Sequence, residues 1–544
     1  MPPRNQWKRV PSANPDGFTF ERPLGHIEQV FYWDMVLHRT ADILRDAEVE
    51  VDSSLRGRAL SPSTLKWAWA TLKQRYPLLG ASVEERSQDD IVFAVDPARL
   101  LVASPVEVAI ENAHSIQEVD ESVGRMLNGC SPLSNDLLAC VRILERTDDP
   151  TRVHILIHSS HVISDETALN TLVREYLQLL SDPNLSSVDA PMMDLLALSS
   201  ATNDLHPDSN GSPARKRWRR AAGRIIMEQR RRGQVGGHTL PRKITSDTTQ
   251  APAYSRATSA AFSPEDTKQL MQSCRTNGLT FGSVLPILGQ IAMARVLCKQ
   301  YLQGSMSEDE WKFRKTEPMI NIGPLNLRPF VDPQWFNDGG ATNASLAIGF
   351  YFCQLPFIPL GSAANLSPGS PLPSCFDMFS KARFIHRCRM MKRNIMGFMQ
   401  HPLFLEMNES WLPNRIHRLR NMALTMRAGG TPSRPGLEAL SPQDQAKGGF
   451  VFNHGGATLG NLDAVLPWEY RALTDNGELP TRALQLIRTR SFLHCRPMEL
   501  YLGASTFRQQ MKFHVFWDGN VYEEDTVQGW LQELVECAKV YLAK

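Results

Sequence analysis

Apolar and polar positions alternate along Val153-His154-Ile155-Leu156-Ile157-His158, a β-branched run that predicts a strand entering a core. It ends in a polar turn, Ser159-Ser160-His161-Val162-Ile163-Ser164-Asp165-Glu166. From Thr167 onward the apolar residues Ala168, Leu169, Leu172, Val173, Tyr176, Leu177, Leu179 and Leu180 fall at helical spacing. This strand, turn and helix organise the chain. Before them, Phe18 to Asp52 reads as short strands passing into an amphipathic helix, and Ser61 to Tyr76 as a helix whose start signal is Ser61-Pro62-Ser63. Ala81 to Glu85, Ile91 to Val95, Val106 to Ile110 and Asp136 to Leu144 read as strands, and Ile116 to Leu127 as a helix. The alternation predicts helices packed on a mixed sheet in an α/β sandwich.

The second half restarts at Phe262-Ser263-Pro264-Glu265-Asp266, where Ser263 suits an N-cap and Pro264 the first helical turn. That helix stops at Asn277-Gly278, and Phe281 to Tyr301 follows as a helix apolar almost all round, which predicts burial. Strands are expected at Met319 to Ile322, Ser345 to Leu355, Leu500 to Ala504 and Met511 to Trp517. Long helices are expected at Met378 to Met399 and Glu524 to Leu542. Pro356 to Pro373 and Gly429 to Gly449 read as Pro- and Gly-rich loops. Asn453-His454-Gly455-Gly456-Ala457-Thr458-Leu459-Gly460-Asn461 permits close backbone approach, but without the strand–turn–helix setting of a phosphate cradle.

Composition adds limits. A chain of 544 residues is long for one core, so two domains are expected: 1–205 carrying the His161 turn, a linker over 206–250, and 251–544. A net charge of +2 predicts no global field toward nucleic acid or membrane. The one concentrated basic block is Ala214-Arg215-Lys216-Arg217-Trp218-Arg219-Arg220, with Arg224 and Arg230-Arg231-Arg232. A nucleic-acid arm, a nuclear import signal or a helix lying on its own protein all suit it, and the interspersed Trp218, Ile225, Ile226 and Met227 favour the last. Nine cysteines without a Cys-x-x-Cys pair argue against a zinc site or a disulfide framework. No N-terminal signal core is visible and no run approaches a membrane span, so a cytoplasmic monomer is expected, with neither nucleic acid nor membrane as partner.

Candidate chemistry centres on His161. An imidazole at the end of a buried strand, neutral near pH 7, can take a proton from an alcohol if a channel reaches it. Asp165, four residues on, reads as an orienting charge that holds the loop. Two fixed residues also recur by chance: a second copy, His38 and Asp42, sits beside the helically spaced Phe31, Met35, Val36, Ile43 and Leu44, and reads as a solvated helical face. Arg328, in a Pro-rich turn after a buried-looking strand, needs a carboxylate, and Asp165 is the candidate. His494 and His514 read as satisfied core histidines.

Ser160-His161-Val162-Ile163-Ser164-Asp165-Glu166 resembles the His-His-x-x-x-Asp-Gly motif of the CoA-dependent acyltransferase superfamily. That superfamily includes chloramphenicol acetyltransferase, peptide-synthetase condensation domains, plant BAHD acyltransferases and fungal alcohol acetyltransferases. Phe262 to Asp266 with Asn277 to Thr280 is similar to the family's opening of its second half, and Asn326-Leu327-Arg328-Pro329 to its Asn-x-Arg segment. Within the superfamily the arrangement looks most similar to fungal trichothecene 15-O-acetyltransferases.

The resemblance implies two chloramphenicol-acetyltransferase-like α/β sandwich domains in a V with a tunnel between them. It implies acetyl-CoA as co-substrate, no tightly bound cofactor and no metal, and a small hydroxylated metabolite, such as a trichothecene-like sesquiterpenoid, as acceptor. His161 would be the general base, in a ternary complex without an acyl-enzyme, and Asp165 would pair with Arg328. Ser160, Glu166, Asn326, Asn453, His454 and Gly455 are the tunnel candidates. Two positions depart from the motif: Ser160 replaces its first His and Glu166 its Gly. The plant-type Asp-Phe-Gly-Trp-Gly segment is absent, and Asn453 to Asn461 stands in its place. Other readings are a carrier-protein-dependent condensation domain forming an ester or amide, and a non-catalytic metabolite-binding scaffold.

Overall fold

The computed structural model describes residues 7–11, 17–39, 42–129, 131–182, 185, 190–208, 211–244, 248, 252–431, 451–472 and 481–543. Most of the loop expected over Gly429 to Gly449 lies outside them.

The motif strand, Arg152–Ser160, has eight of its nine residues buried, because it runs antiparallel between Asp42–Val51 on one side and Ala139–Arg146 on the other. A strand paired on both edges, with side chains covered on both faces, is apolar along its length. The sheet that contains it has six strands; Val108–Ala113 pairs parallel with Ala139–Arg146 at one edge, and at the other Thr481–Leu493 pairs with Asp42–Val51, followed by Glu469–Ala472. The last two come from far along the chain, so residues beyond 250 complete the sheet of the first half. A second six-stranded sheet is built from Ser255–Ala261, Met319–Asn326, Ile348–Leu355, Phe452–Asn461, Leu500–Phe507 and Gln510–Asp518. A small four-stranded sheet uses Lys8–Pro11, Phe18–Pro23, Ser82–Ser87 and Asp90–Val95.

Each large sheet carries its own core. Helices Pro62–Arg75 and Glu166–Ser181 cover the first; Trp69 and Tyr176 meet edge-on there, and the Tyr176 hydroxyl donates to the Leu65 carbonyl. Helices Phe281–Leu302, Lys381–Met399 and Glu524–Ala538 pack in the second core. Phe281–Leu302 is buried on all sides. At 22 residues and mean hydropathy 1.6 over its most apolar window it is long and apolar enough to cross a membrane, contrary to the expectation that no run reaches that length; 89% of that window is buried in protein. Its apolarity is that of a central core helix.

Local signals place several boundaries. Ser61, Ser115, Asp165 and Ser263 each accept a hydrogen bond from a first-turn amide of the helix they precede. The expected helix beyond His38 is a correction. The helix His26–His38 ends at Arg39, which adopts the left-handed conformation (φ 54°, ψ 30°), and Asp42–Val51 is a strand. Ala47, Val49 and Val51 face the core while Glu48 and Glu50 are half-exposed, a two-residue period that overrides the helical spacing of Ile43 and Leu44 with the preceding residues. The glycine-rich Phe452–Asn461 is also a strand; a side chain at Gly456 would meet the Leu502 carbonyl oxygen at 2.5 Å.

Candidate active site

Beyond Ser160 the chain turns sharply, and the turn is closed by its own hydroxyls. The Ser160 hydroxyl accepts from the Val162 amide (3.2 Å), and the Ser164 hydroxyl donates to the Ser160 carbonyl (3.0 Å). Ser159 and Ser164 hydroxyls meet at 2.7 Å. The residue in place of the motif's first His is thus a buried turn-former.

Asp165 is the N-cap of Glu166–Ser181, accepting from the Ala168 amide at 3.0 Å. Its carboxylate also takes a two-pronged pair from Arg328 (2.8 and 3.1 Å) and the Ala347 amide (3.0 Å). Burial alone would raise its pKa; the Arg328 guanidinium and the two amides outweigh it and hold the carboxyl below its usual range. Arg328 is fully buried and also donates to the Asn343 and Ser345 carbonyls. This pair therefore ties the turn of the first half to the segment that follows Met319–Asn326 in the second. Removing one partner of such a buried pair costs about 3–5 kcal/mol.

With Asp165 so occupied, His161 is oriented by backbone instead. Its Nδ1 lies 2.8 Å from the Ser164 carbonyl oxygen. A carbonyl only accepts, so Nδ1 carries the proton and Nε2 holds the free lone pair. Burial pushes the imidazole pKa down, the nearby Arg496 pushes further, and the result is about 4. The ring is therefore neutral near pH 7. Phe31 stacks on it at 4.5 Å between centroids, with planes 19° apart. Behind Phe31 stands Arg496, its guanidinium 5.4 Å from the ring centre, held by Asp34 at 2.9 Å; Arg415 reaches Asp34 from another helix at 3.3 Å. Phe31 and Asp34 lie three residues apart on His26–His38, one helical face that supplies both the plate and the anchor.

Three residues back, on the strand itself, sits a second buried assembly. Asp42 is bonded by His158 Nε2 on one oxygen and by His494 Nδ1 on the other, the latter at 2.7 Å. Burial would drive His158 neutral, but the Asp42 charge and hydrogen bond reverse this and raise its pKa to about 9. The Asp42 carboxyl is held far below its usual range although burial opposes it. The second His-x-x-x-Asp copy is therefore split: His38 ends a helix and Asp42 starts a buried strand, so the expected solvated face is corrected. Sequence reasoning missed Asp42, Phe31, Asp34 and Arg496. The alternation at Ala47, Val49 and Val51 is the signal that would have placed Asp42 on a strand.

The remaining sequence candidates scatter. Glu166 pairs with the buried Arg45. The Asn326 side chain accepts from the Arg328 amide at 3.1 Å and so braces the ion pair. Asn453 is fully buried, with its amide nitrogen 2.8 Å from Met293 Sδ, inside the second core. His454 is buried and its pKa falls to about 4 through burial; it lines a cavity of about 220 Å³ together with Tyr351, Lys392 and Thr458. A larger cavity, about 700 Å³, is lined by Lys268, Arg275, Phe281, Thr458 and Gln509 among others. Of the six tunnel candidates only His454 lines either cavity, and His161 lines neither. His514 shares its Nε2 with the Ser505 hydroxyl at 3.2 Å.

No family model and no curated protein sequence matches the chain. Solved structures do. The trichothecene 15-O-acetyltransferase TRI3 from Fusarium sporotrichioides superimposes with a TM-score of 0.68 at 12% identity, over 100% of this chain and 99% of that one. The EpoB cyclization-docking bidomain from Sorangium cellulosum matches at 0.58 and 13% identity, over 98% of this chain and 86% of that one. The condensation domain of the Monacolin K polyketide synthase MokA matches at 0.57 and 10% identity, over 96% and 98%. The chain has the chloramphenicol-acetyltransferase-like fold. Its two α/β halves are similar in fold to those of the acetyltransferase and the condensation domain, and at 10–13% identity the likeness is one of fold alone.

Proposed function

We propose that the chain is an O-acyltransferase that moves an acetyl group from acetyl-CoA to a hydroxyl of a secondary metabolite, a trichothecene-like sesquiterpenoid being the favoured acceptor. The observation that carries this reading is the protonation pattern of His161: Nδ1 tied to the Ser164 carbonyl, Nε2 left with its lone pair, and a ring neutral at pH 7. In the proposed step the acceptor hydroxyl gives its proton to His161 Nε2 as its oxygen bonds to the thioester carbonyl carbon. The tetrahedral adduct then expels the CoA sulfur, which takes the proton back from the imidazolium, so no acyl-enzyme forms. Asp165 acts through structure alone, since its oxygens are already shared among Arg328 and two amides. Phe31 fixes the ring plane. A tunnel reaching Nε2 from both faces, as the fold resemblance implies, is part of the proposal.

The full-length match to an acetyltransferase supports the CoA-dependent reading. The matches to condensation domains support a second: ester or amide formation from a carrier-bound thioester. Incubation with acetyl-CoA and hydroxylated sesquiterpenoids, followed by liquid chromatography of free CoA and mass spectrometry of the acceptor, separates them. Acetylated product supports the first reading. Turnover only with an acyl group loaded on a carrier protein supports the second, and acceptor binding with no turnover from either donor leaves a non-catalytic scaffold.

A further inference from the structure

We propose that the outward face of the helix Pro213–Arg232 docks on the anionic surface of a lipid membrane. The helix carries nine Arg and Lys residues against one acid, Glu228, a local excess that the whole-chain net charge of +2 conceals. Its inner face is spoken for. Gly223 and Met227 are buried; a side chain at Gly223 would meet Glu406 Cβ at 2.7 Å, so the helix lies close on Phe404–Glu409. Arg219 bonds Glu406 and the Pro402 carbonyl, and Arg230 stands over the Phe398 ring.

The ion pairs of the outer face are long and exposed, Arg215 with Asp208 at 3.6 Å and Arg224 with Glu228 at 3.8 Å. Ala214, Trp218, Ala221 and Ile225 follow one another at three- and four-residue spacing, which sets them in one stripe. Trp218 is 66% and Ile225 64% exposed, and Val235, just past the helix, 62%. Arg217, Arg220 and Arg224 flank the stripe on one side and Arg215 on the other, all exposed. Exposed Trp and Ile between cationic flanks match a lipid interface: guanidinium groups meet headgroup phosphates, the indole sits at headgroup level, and the aliphatic side chain enters the acyl boundary. A nucleic-acid strand would use the arginines and stack on Trp218, but would leave Ile225 and the alanine stripe in water. The observations therefore favour lipid. This departs from the expectation, drawn from net charge and span length, that no membrane is involved, and it stands independently of the acyl-transfer reading.

Cosedimentation of the full chain with phosphatidylcholine vesicles, with and without phosphatidylserine, tests it. Binding is expected only with phosphatidylserine, falling steeply with added salt. The variant Arg217→Gln/Arg220→Gln/Arg224→Gln should weaken it by about a hundredfold, and Trp218→Ser/Ile225→Ser by about tenfold. These side chains are exposed, so thermal melting of both variants should match the parent, which shows that any loss is not unfolding. Failure to bind anionic vesicles, equal binding to neutral ones, unchanged binding by both variants, or binding to a single-stranded oligonucleotide in place of vesicles each overturns the proposal.

Discussion

His158 and His161 stand three residues apart at the end of one strand, both buried, and the structure drives them in opposite directions. His158 is raised to about 9 and His161 lowered to about 4. Burial pushes both the same way, so it does not make the difference. The partners do: His158 meets the carboxylate of Asp42, whereas His161 meets a neutral carbonyl and feels the cation of Arg496. A carboxylate stabilises imidazolium and a carbonyl only selects a tautomer. One histidine becomes a fixed structural cation and the other a neutral ring with a lone pair to offer. Which of two neighbouring histidines can act as a base is thus decided by residues remote in sequence.

The contrast can be tested from both ends. The largest effect is expected from His161→Ala, which should lower turnover by about 10²–10⁴ with the fold intact by circular dichroism; turnover within a few-fold of the parent would remove His161 from the mechanism. Asp165→Asn keeps a cap for the helix but leaves Arg328 with no buried counter-charge. We expect a loss of about 3–5 kcal/mol in chemical denaturation, with lower soluble yield and activity. Unchanged stability would mean that the ion pair joining the halves is dispensable. Asp42→Asn should collapse the contrast itself: proton NMR should show His158 titrating below pH 6.5, while His161 moves little because it keeps Ser164 and Arg496. A loss of about 1–3 kcal/mol is expected alongside.

The smallest effect is in the pH dependence. His161 binds its proton less readily folded than unfolded, so its contribution is complete above about pH 6.5 and is lost as pH falls toward 4, by up to about 1.4 kcal/mol per pH unit. His158 has the opposite sign: its contribution is complete below about pH 6.5 and fades as pH rises through 9. Stability measured by denaturant titration should therefore decline on both sides. His161→Ala should flatten the acid limb and Asp42→Asn the alkaline limb; equal slopes in all three proteins would contradict the assignment. Turnover should not fall on the acid side until pH approaches 4, where His161 gains its proton.

Much of the fold was legible because its signals are local. The β-branched run to Ser160, the caps at Ser61 and Ser263 and the apolar helix from Phe281 all lie where periodicity and capping place them. The errors arose where two periods overlap. Ile43 and Leu44 continue the helical spacing of Phe31 and Met35, yet Arg39 turns left-handed and the strand begins at Asp42. The strands Glu469–Ala472 and Thr481–Leu493 went unassigned, and with them the fact that distant chain finishes the first sheet.

From residue order alone, the turn bearing His161, the helix that Asp165 caps and the need of Arg328 for an acid were within reach, because each rests on neighbours within a few positions. Tertiary structure alone decided which ring is charged, since Asp42 lies 116 residues from His158 and 452 from His494. It also decided that Phe31 and Arg496 would flank His161. Protonation inside a protein is set by the charges and dipoles that folding gathers around a group, and no local pattern records which those will be.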